Sequence, residues 1–161
     1  MAAQISEEQN PQRWRVLLAF IIVPGVAAFL MAMIDPAYDG LDAPFERIWR
    51  TAVVFAMFGA YPSALVFGVP GYMILRKRVA GTWFNCAAAG AAVAALPWLL
   101  IVLFGPRADQ ASIGGKATVI DGTKTAYGWL SDFQFIGTIA LFGCLAGVLF
   151  WLIAATGKKV R

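Results

Sequence analysis

Four stretches of the chain are almost wholly apolar: Val16–Ile34, Ile48–Leu75, Thr82–Phe104 and Phe133–Ala155, with Arg50 alone interrupting the second near its start. Polar and charged residues gather between them. The first stretch has 19 residues, about 28 Å of helix at ~1.5 Å per residue, which matches a hydrocarbon core of ~30 Å. The third and fourth have 23 each. The second is longer and must tilt or project from the bilayer. None is expected to be a strand, because an open sheet edge in lipid leaves backbone groups unpaired.

Local signals set the boundaries. Asp35-Pro36 stops the first helix, while Asp42 and Pro44 suit the cap and first turn of the second. Gly81-Thr82 starts the third, Gly105-Pro106 ends it, and Gly157 closes the fourth before a basic tail. The pattern therefore predicts an all-α integral membrane protein, one domain over 1–161, with helices at 16–34, 44–75, 82–104 and 133–155. Loop 105–132 holds Ala117–Ile120 and Thr123–Tyr127 around Asp121-Gly122, a two-residue hairpin signal. A short extracytoplasmic hairpin is expected there, or a loop ordered only by a partner.

Composition narrows the class. Apolar residues make up 60% and charged residues 14% of the 161, and the mean hydropathy is +0.71; soluble domains run near ~45–50% and ~25%. With no histidine, bis-histidine haem, histidine zinc or iron sites and histidine bases are excluded. Cys86 and Cys144 form no CxxC and lie in different apolar stretches, so they read as small buried thiols, and no disulfide chemistry is expected. The acids Asp35, Asp39, Asp42 and Glu46 lack calcium-loop spacing. No cofactor or metal is expected.

Charge orients the chain. Flanks 1–15, 76–81 and 157–161 carry eight basic residues against two acids, net +6; flanks 35–50 and 105–132 carry five against seven, net −2. Both termini are therefore expected on the cytoplasmic side. Trp14, Tyr72, Trp83 and Trp151 fall toward that face, Tyr38, Trp49 and Trp129 toward the other. Arg76-Lys77-Arg78 reads as a topology signal, and the overall charge of +4 needs no nucleic acid. The first apolar run is longer than the ~7–15 residues of a signal-peptide core and lacks an A-x-A site, so it is expected to remain in the mature protein.

Small residues recur at four-residue spacing: Ala56, Ala60, Ala64 and Gly68 in the second stretch, Gly143 and Gly147 in the fourth, Ala87, Ala91 and Ala95 in the third, and Ala28 and Ala32 in the first. In lipid such rows let backbones pack closely, within the chain or against another subunit. Pro24, Pro62, Pro70 and Pro97 are expected to kink their helices. Broken helices line transport sites in some carriers, but those usually hold an intramembrane charge, and none lies deep here. Tyr61, Ser63 and Asn85 are the candidate polar path. Gly114-Gly115-Lys116 is not read as a phosphate loop, lacking a strand before it and a helix after it.

Tyr61-Pro-Ser-Ala-Leu-Val-Phe-Gly-Val-Pro-Gly-Tyr-Met-Ile-Leu-Arg-Lys-Arg78, with Gly147–Ala154, resembles segments of small four-helix inner-membrane proteins of bacteria. The resemblance implies that topology and brings no assigned activity. The expected function is that of a non-catalytic inner-membrane protein, an accessory or structural subunit whose partners are the bilayer and other membrane proteins. Asp121, Gly122, Lys124 and Tyr127 form its candidate partner loop. The alternative is a homo-oligomeric channel or transporter. An enzyme is not expected, since acid–base work needs positioned titratable groups.

Orientation has a direct test. Cysteines placed at Ser6 and Lys159 should label only from the cytoplasm and one at Thr123 only from outside; labelling of Thr123 only after the membrane is opened would reverse the topology.

Overall fold

The computed structural model describes residues 13–37, 43–76, 78–79, 81–106 and 108–155. Both expected cytoplasmic termini lie outside these, as do Tyr38, Asp39, Asp42, Lys77, Arg107 and Gly157. Four helices are long and apolar enough to cross a membrane: α1 (Arg13–Ile34), α2 (Pro44–Leu75), α3 (Trp83–Phe104) and α4 (Ala126–Ala155). Large apolar side chains point outward on all of them, Phe58 and Phe104 being 80% exposed. Surfaces of this kind mark contact with lipid rather than water. The chain is a multi-pass membrane protein.

Helix ends follow local chemistry. Thr82 caps α3, its Oγ1 accepting from the Asn85 N–H at 3.3 Å. Gly105 closes α3, its N–H donating to Ile101 O at 2.8 Å. At α2 the cap is Ala43, with no side-chain cap bond, and Pro44 opens the first turn. The largest departure from expectation is α4, which begins at Ala126 rather than Phe133 and extends for 30 residues, roughly 45 Å. Thr125 starts it: its Oγ1 accepts from the Gly128 N–H at 3.0 Å, and its carbonyl takes the first helical bond from Trp129.

Prolines shape α2. Two π-helical turns, Ala56–Ala60 and Ala64–Gly68, each end two residues before a proline, Pro62 and Pro70. A proline ring collides with the carbonyl four residues back and offers it no N–H. A widened turn just ahead relieves the collision and lets α2 continue. It also disturbs the four-residue row of small side chains expected from Ala56 to Gly68.

Packing is uneven. α1 lies between α2 and α4 and buries Val16, Ala19, Val23, Ala28 and Ala32. Thr51 is fully buried, its hydroxyl donating to Arg47 O at 2.8 Å, the i−4 bond by which a helical threonine hides its polarity. The closest packing joins α3 to α4. A Cβ on Gly143 would stand 2.5 Å from Gly90 O and 2.7 Å from Ala94 Cβ; one on Gly147 would stand 2.9 Å from Ala87 Cα. Ordinary contact begins near 3.4 Å, so this seam admits glycine alone. The small-residue rows of α3 and α4 are thus spent against each other.

α2 meets α3 mainly around Ala64–Gly68. A Cβ on Gly68 would stand 3.3 Å from Phe20 of α1 and 3.6 Å from Val93 of α3. No residue of α2 after Ala52 is buried. A cleft follows between α2 and α3, floored by α1 and α4.

Between α3 and α4 lies an antiparallel sheet, β1 (Ala111–Ile113), β2 (Lys116–Ile120) and β3 (Thr123–Lys124), in that order. Asp121 (φ 48°) and Gly122 (φ 71°) form the expected two-residue turn between Ile120 and Thr123, both in the left-handed region that this turn demands. Gly114 (φ 58°) and Gly115 (φ 78°) turn β1 into β2 the same way. The glycine pair therefore does follow a strand, contrary to expectation, but another strand follows it. The second expected strand stops at Lys124, because Thr125 starts α4.

Candidate functional site

The sheet is fixed to the helices through one lysine. Lys124 Nζ pairs with the Asp132 carboxylate, donates to Val102 O at 3.4 Å and stands 4.9 Å from the centre of the Trp129 ring. Its side chain is 13% exposed and that of Asp132 30%. Val102 needs an outside donor, because the residue four positions on is Pro106, which has no N–H. A cation there also suits the carbonyl end of α3. Three elements thus converge on one ammonium group: β3 supplies it, α4 neutralises it, and α3 presents the carbonyl.

A second set of contacts stiffens the joint. Thr125 N–H donates to Thr118 O at 2.9 Å, and Thr125 Oγ1 to Ala117 O at 2.8 Å. The β1–β2 register slips at Thr118, a bulge that turns its carbonyl toward α4. Gly128 packs so tightly on Thr118 that a Cβ there would meet Thr118 Cα at 3.2 Å. Gly122 N–H donates to Asp109 O at 3.0 Å. A cavity of about 230 Å³ lies beneath, walled by Ile101, Val102, Pro106, Thr118, Lys124 and Asp132 among others.

The candidate partner loop therefore divides. Asp121 and Gly122 sit at an outward turn. Lys124 is committed inside the chain, and Tyr127 is half-buried with Lys116 Nζ 5.2 Å from its ring. Two apolar side chains of the sheet face outward: Ile113 is 54% and Ile120 51% exposed.

The candidate polar path also divides. Tyr61 OH donates to Ile21 O of α1 at 2.8 Å, and Ser63 Oγ donates to Gly59 O at 2.7 Å. Ser63 and Asn85, but not Tyr61, line the α2–α3 cleft, a space of about 510 Å³ whose walls are overwhelmingly apolar. Ala60, Ala64 and Gly68 line it too, so most of the α2 row borders open space. Phe20, Tyr72 and Phe150 meet edge to face at its floor, with ring centroids 5.1–6.0 Å apart. Trp151 Nε1 donates to Gly81 O at 3.0 Å and ties the end of α4 to the start of α3. Among the described residues no cluster of three potential metal ligands occurs.

Trp129 is expected from the sequence only as part of the aromatic belt, and nothing there joins it, Asp132 and Val102 to Lys124. The signal for Val102 was present in Pro106, which strips the carbonyl four residues back of its donor. That for Asp132 was hidden by placing the start of the fourth helix too late. No family model, curated protein or solved structure matches the chain.

The joint can be tested by a double-mutant cycle. Lys124→Met leaves Asp132 half-buried without its cation and should cost about 1–2 kcal/mol. Lys124→Met with Asp132→Asn should cost less than the two changes summed, a coupling of roughly 1 kcal/mol read by thermal unfolding. Strict additivity would show that the pair does not hold the sheet.

Proposed function

We propose that this chain is a non-catalytic accessory subunit of a larger assembly in a bacterial inner membrane, with both termini cytoplasmic and the sheet on the opposite side. The observation that carries the reading is the anchored sheet. A small sheet alone is marginal in water, yet this one is held by Lys124, Thr125 and Gly128 and presents Ile113 and Ile120 outward. Exposed apolar residues on a rigid platform suit a protein partner.

The rival reading, a channel or transporter, draws on Ser63 and Asn85 in the cleft wall. Against it, the hydroxyls of Tyr61 and Ser63 already serve backbone carbonyls, and an apolar wall does not hold a file of water.

Two measurements separate these readings. Reconstituted protein should show no solute-dependent current or uptake, and Tyr61→Phe, Ser63→Ala and Asn85→Leu should leave cell-level function intact. A photo-crosslinker at Ile120 should capture one defined membrane protein, and Gly122→Val, which strains a residue at positive φ, should abolish the capture. Flux from the protein alone, lost in Ser63→Ala or Asn85→Leu, would assign the rival.

A further inference from the structure

The α2–α3 cleft is long, narrow and apolar, and its two ends differ in charge. Along α3 its lining runs from Asn85 to Trp98, roughly 20 Å of helix. At about 510 Å³ it falls within the ~300–1,000 Å³ of small-molecule sites. A transmembrane helix, ~10 Å across and ~30 Å long, displaces roughly 2,000 Å³ and could enter only in part. Left empty in a bilayer, the walls would forfeit their dispersion contacts; water gains little there, because the walls offer few partners. The fitting occupant is a flexible hydrocarbon chain.

Charge identifies the head to which that chain belongs. Arg76 lines the cleft at the end where Val79, Gly81 and Asn85 also meet it, and Arg78 follows closely. Arg15 stands one turn before Ala19 on the α1 face that lines the cleft through Ala19, Val23 and Ala27. Among the described residues the acids, Asp35, Glu46, Asp109, Asp121 and Asp132, all flank the opposite end of the bundle. The paired ones, Glu46 and Asp132, are bonded to Arg50 and Lys124. Arg76, the one arginine lining the cleft among the described residues, thus faces no carboxylate of the described chain. A guanidinium matches a phosphate with two parallel hydrogen bonds, and basic pockets between membrane helices take anionic lipid heads.

We propose that the α2–α3 cleft binds an anionic glycerophospholipid, with one acyl chain along Gly71, Gly68 and Ala64 and its phosphate on Arg76. The inference stands independently of the accessory-subunit reading. A bound lipid would also complete the weakest helix contact in the bundle, since α2 meets α3 over so little of its length.

Gly71 and Gly59 offer a clean test, because both line the cleft and a Cβ on either meets nothing within 4 Å. A leucine there occupies the space of the acyl chain without displacing protein. Protein purified in mild detergent is titrated with phosphatidylglycerol and with phosphatidylcholine of matched chains, and bound lipid is counted by native mass spectrometry. The unmodified protein should hold one phosphatidylglycerol, about tenfold tighter than phosphatidylcholine, whose phosphate is offset by its own choline cation beside Arg76. Arg76→Gln should remove the preference while both lipids still bind. Gly71→Leu should lose both lipids while its unfolding temperature in lipid-free detergent is undiminished, and Gly59→Leu serves in its place should Gly71→Leu not fold. Equal affinity for the two lipids, a preference that survives Arg76→Gln, lipid retained by the leucine variants, or a second polypeptide in place of lipid would each overturn the proposal.

Discussion

Three glycines, Gly90, Gly143 and Gly147, determine how near α3 and α4 approach, and much of the structure depends on that distance. Lipid supplies no hydrophobic drive between helices, so association rests on dispersion between closely apposed surfaces. Where a Cβ would stand within 3 Å of the facing backbone, the two helices meet main chain to main chain. The pair then forms a unit: Trp151 ties it at one end through Gly81, and Lys124 ties it at the other through Val102 and Asp132. α1 packs on α4, and α2 on α1.

Backbone satisfaction is the second constraint, and the prolines decide where it bites. Each proline strips one carbonyl of its helical donor, a cost that bilayer surroundings cannot relieve with water. The chain answers in different ways. At Pro106, Lys124 serves Val102 O. Along α2 the helix widens into π turns ahead of Pro62 and Pro70. The hydroxyls of Tyr61 and Ser63, which resemble a transport path in the sequence, are bonded to backbone carbonyls, Ile21 O and Gly59 O. α2 meets α3 at the second of these π turns, Ala64–Gly68, and the apolar cleft lies along the rest of the helix pair.

Most of the architecture was legible because its signals are local or periodic. Hydrophobic runs marked the four helices and Asp121-Gly122 its turn. What escaped depends on relations across distance. The start of α4 at Ala126 is set by Thr125, whose Oγ1 accepts from the Gly128 N–H while its own N–H is held by Thr118 O of the sheet, so the cap depends on how β2 lies against α4. β1 has only three residues and pairs through a bulge. The cleft arises from how α2 meets α3, so no residue of Ala60, Ala64 or Gly68 announces it; the same small-residue row that suggests packing equally suits a wall beside open space.

The claim that the α3–α4 seam is internal, rather than a docking face for another protein, is tested most directly by the thermal unfolding of Gly147→Leu as an isolated chain in detergent. Overpacking a backbone contact costs about 2 kcal/mol, which lowers Tm by roughly 4–8 °C in a chain of this size. The account predicts that loss in the purified chain with no partner present. An unchanged Tm, with only the recovery of a partner reduced, would contradict it and place the glycine face on the outside of the bundle.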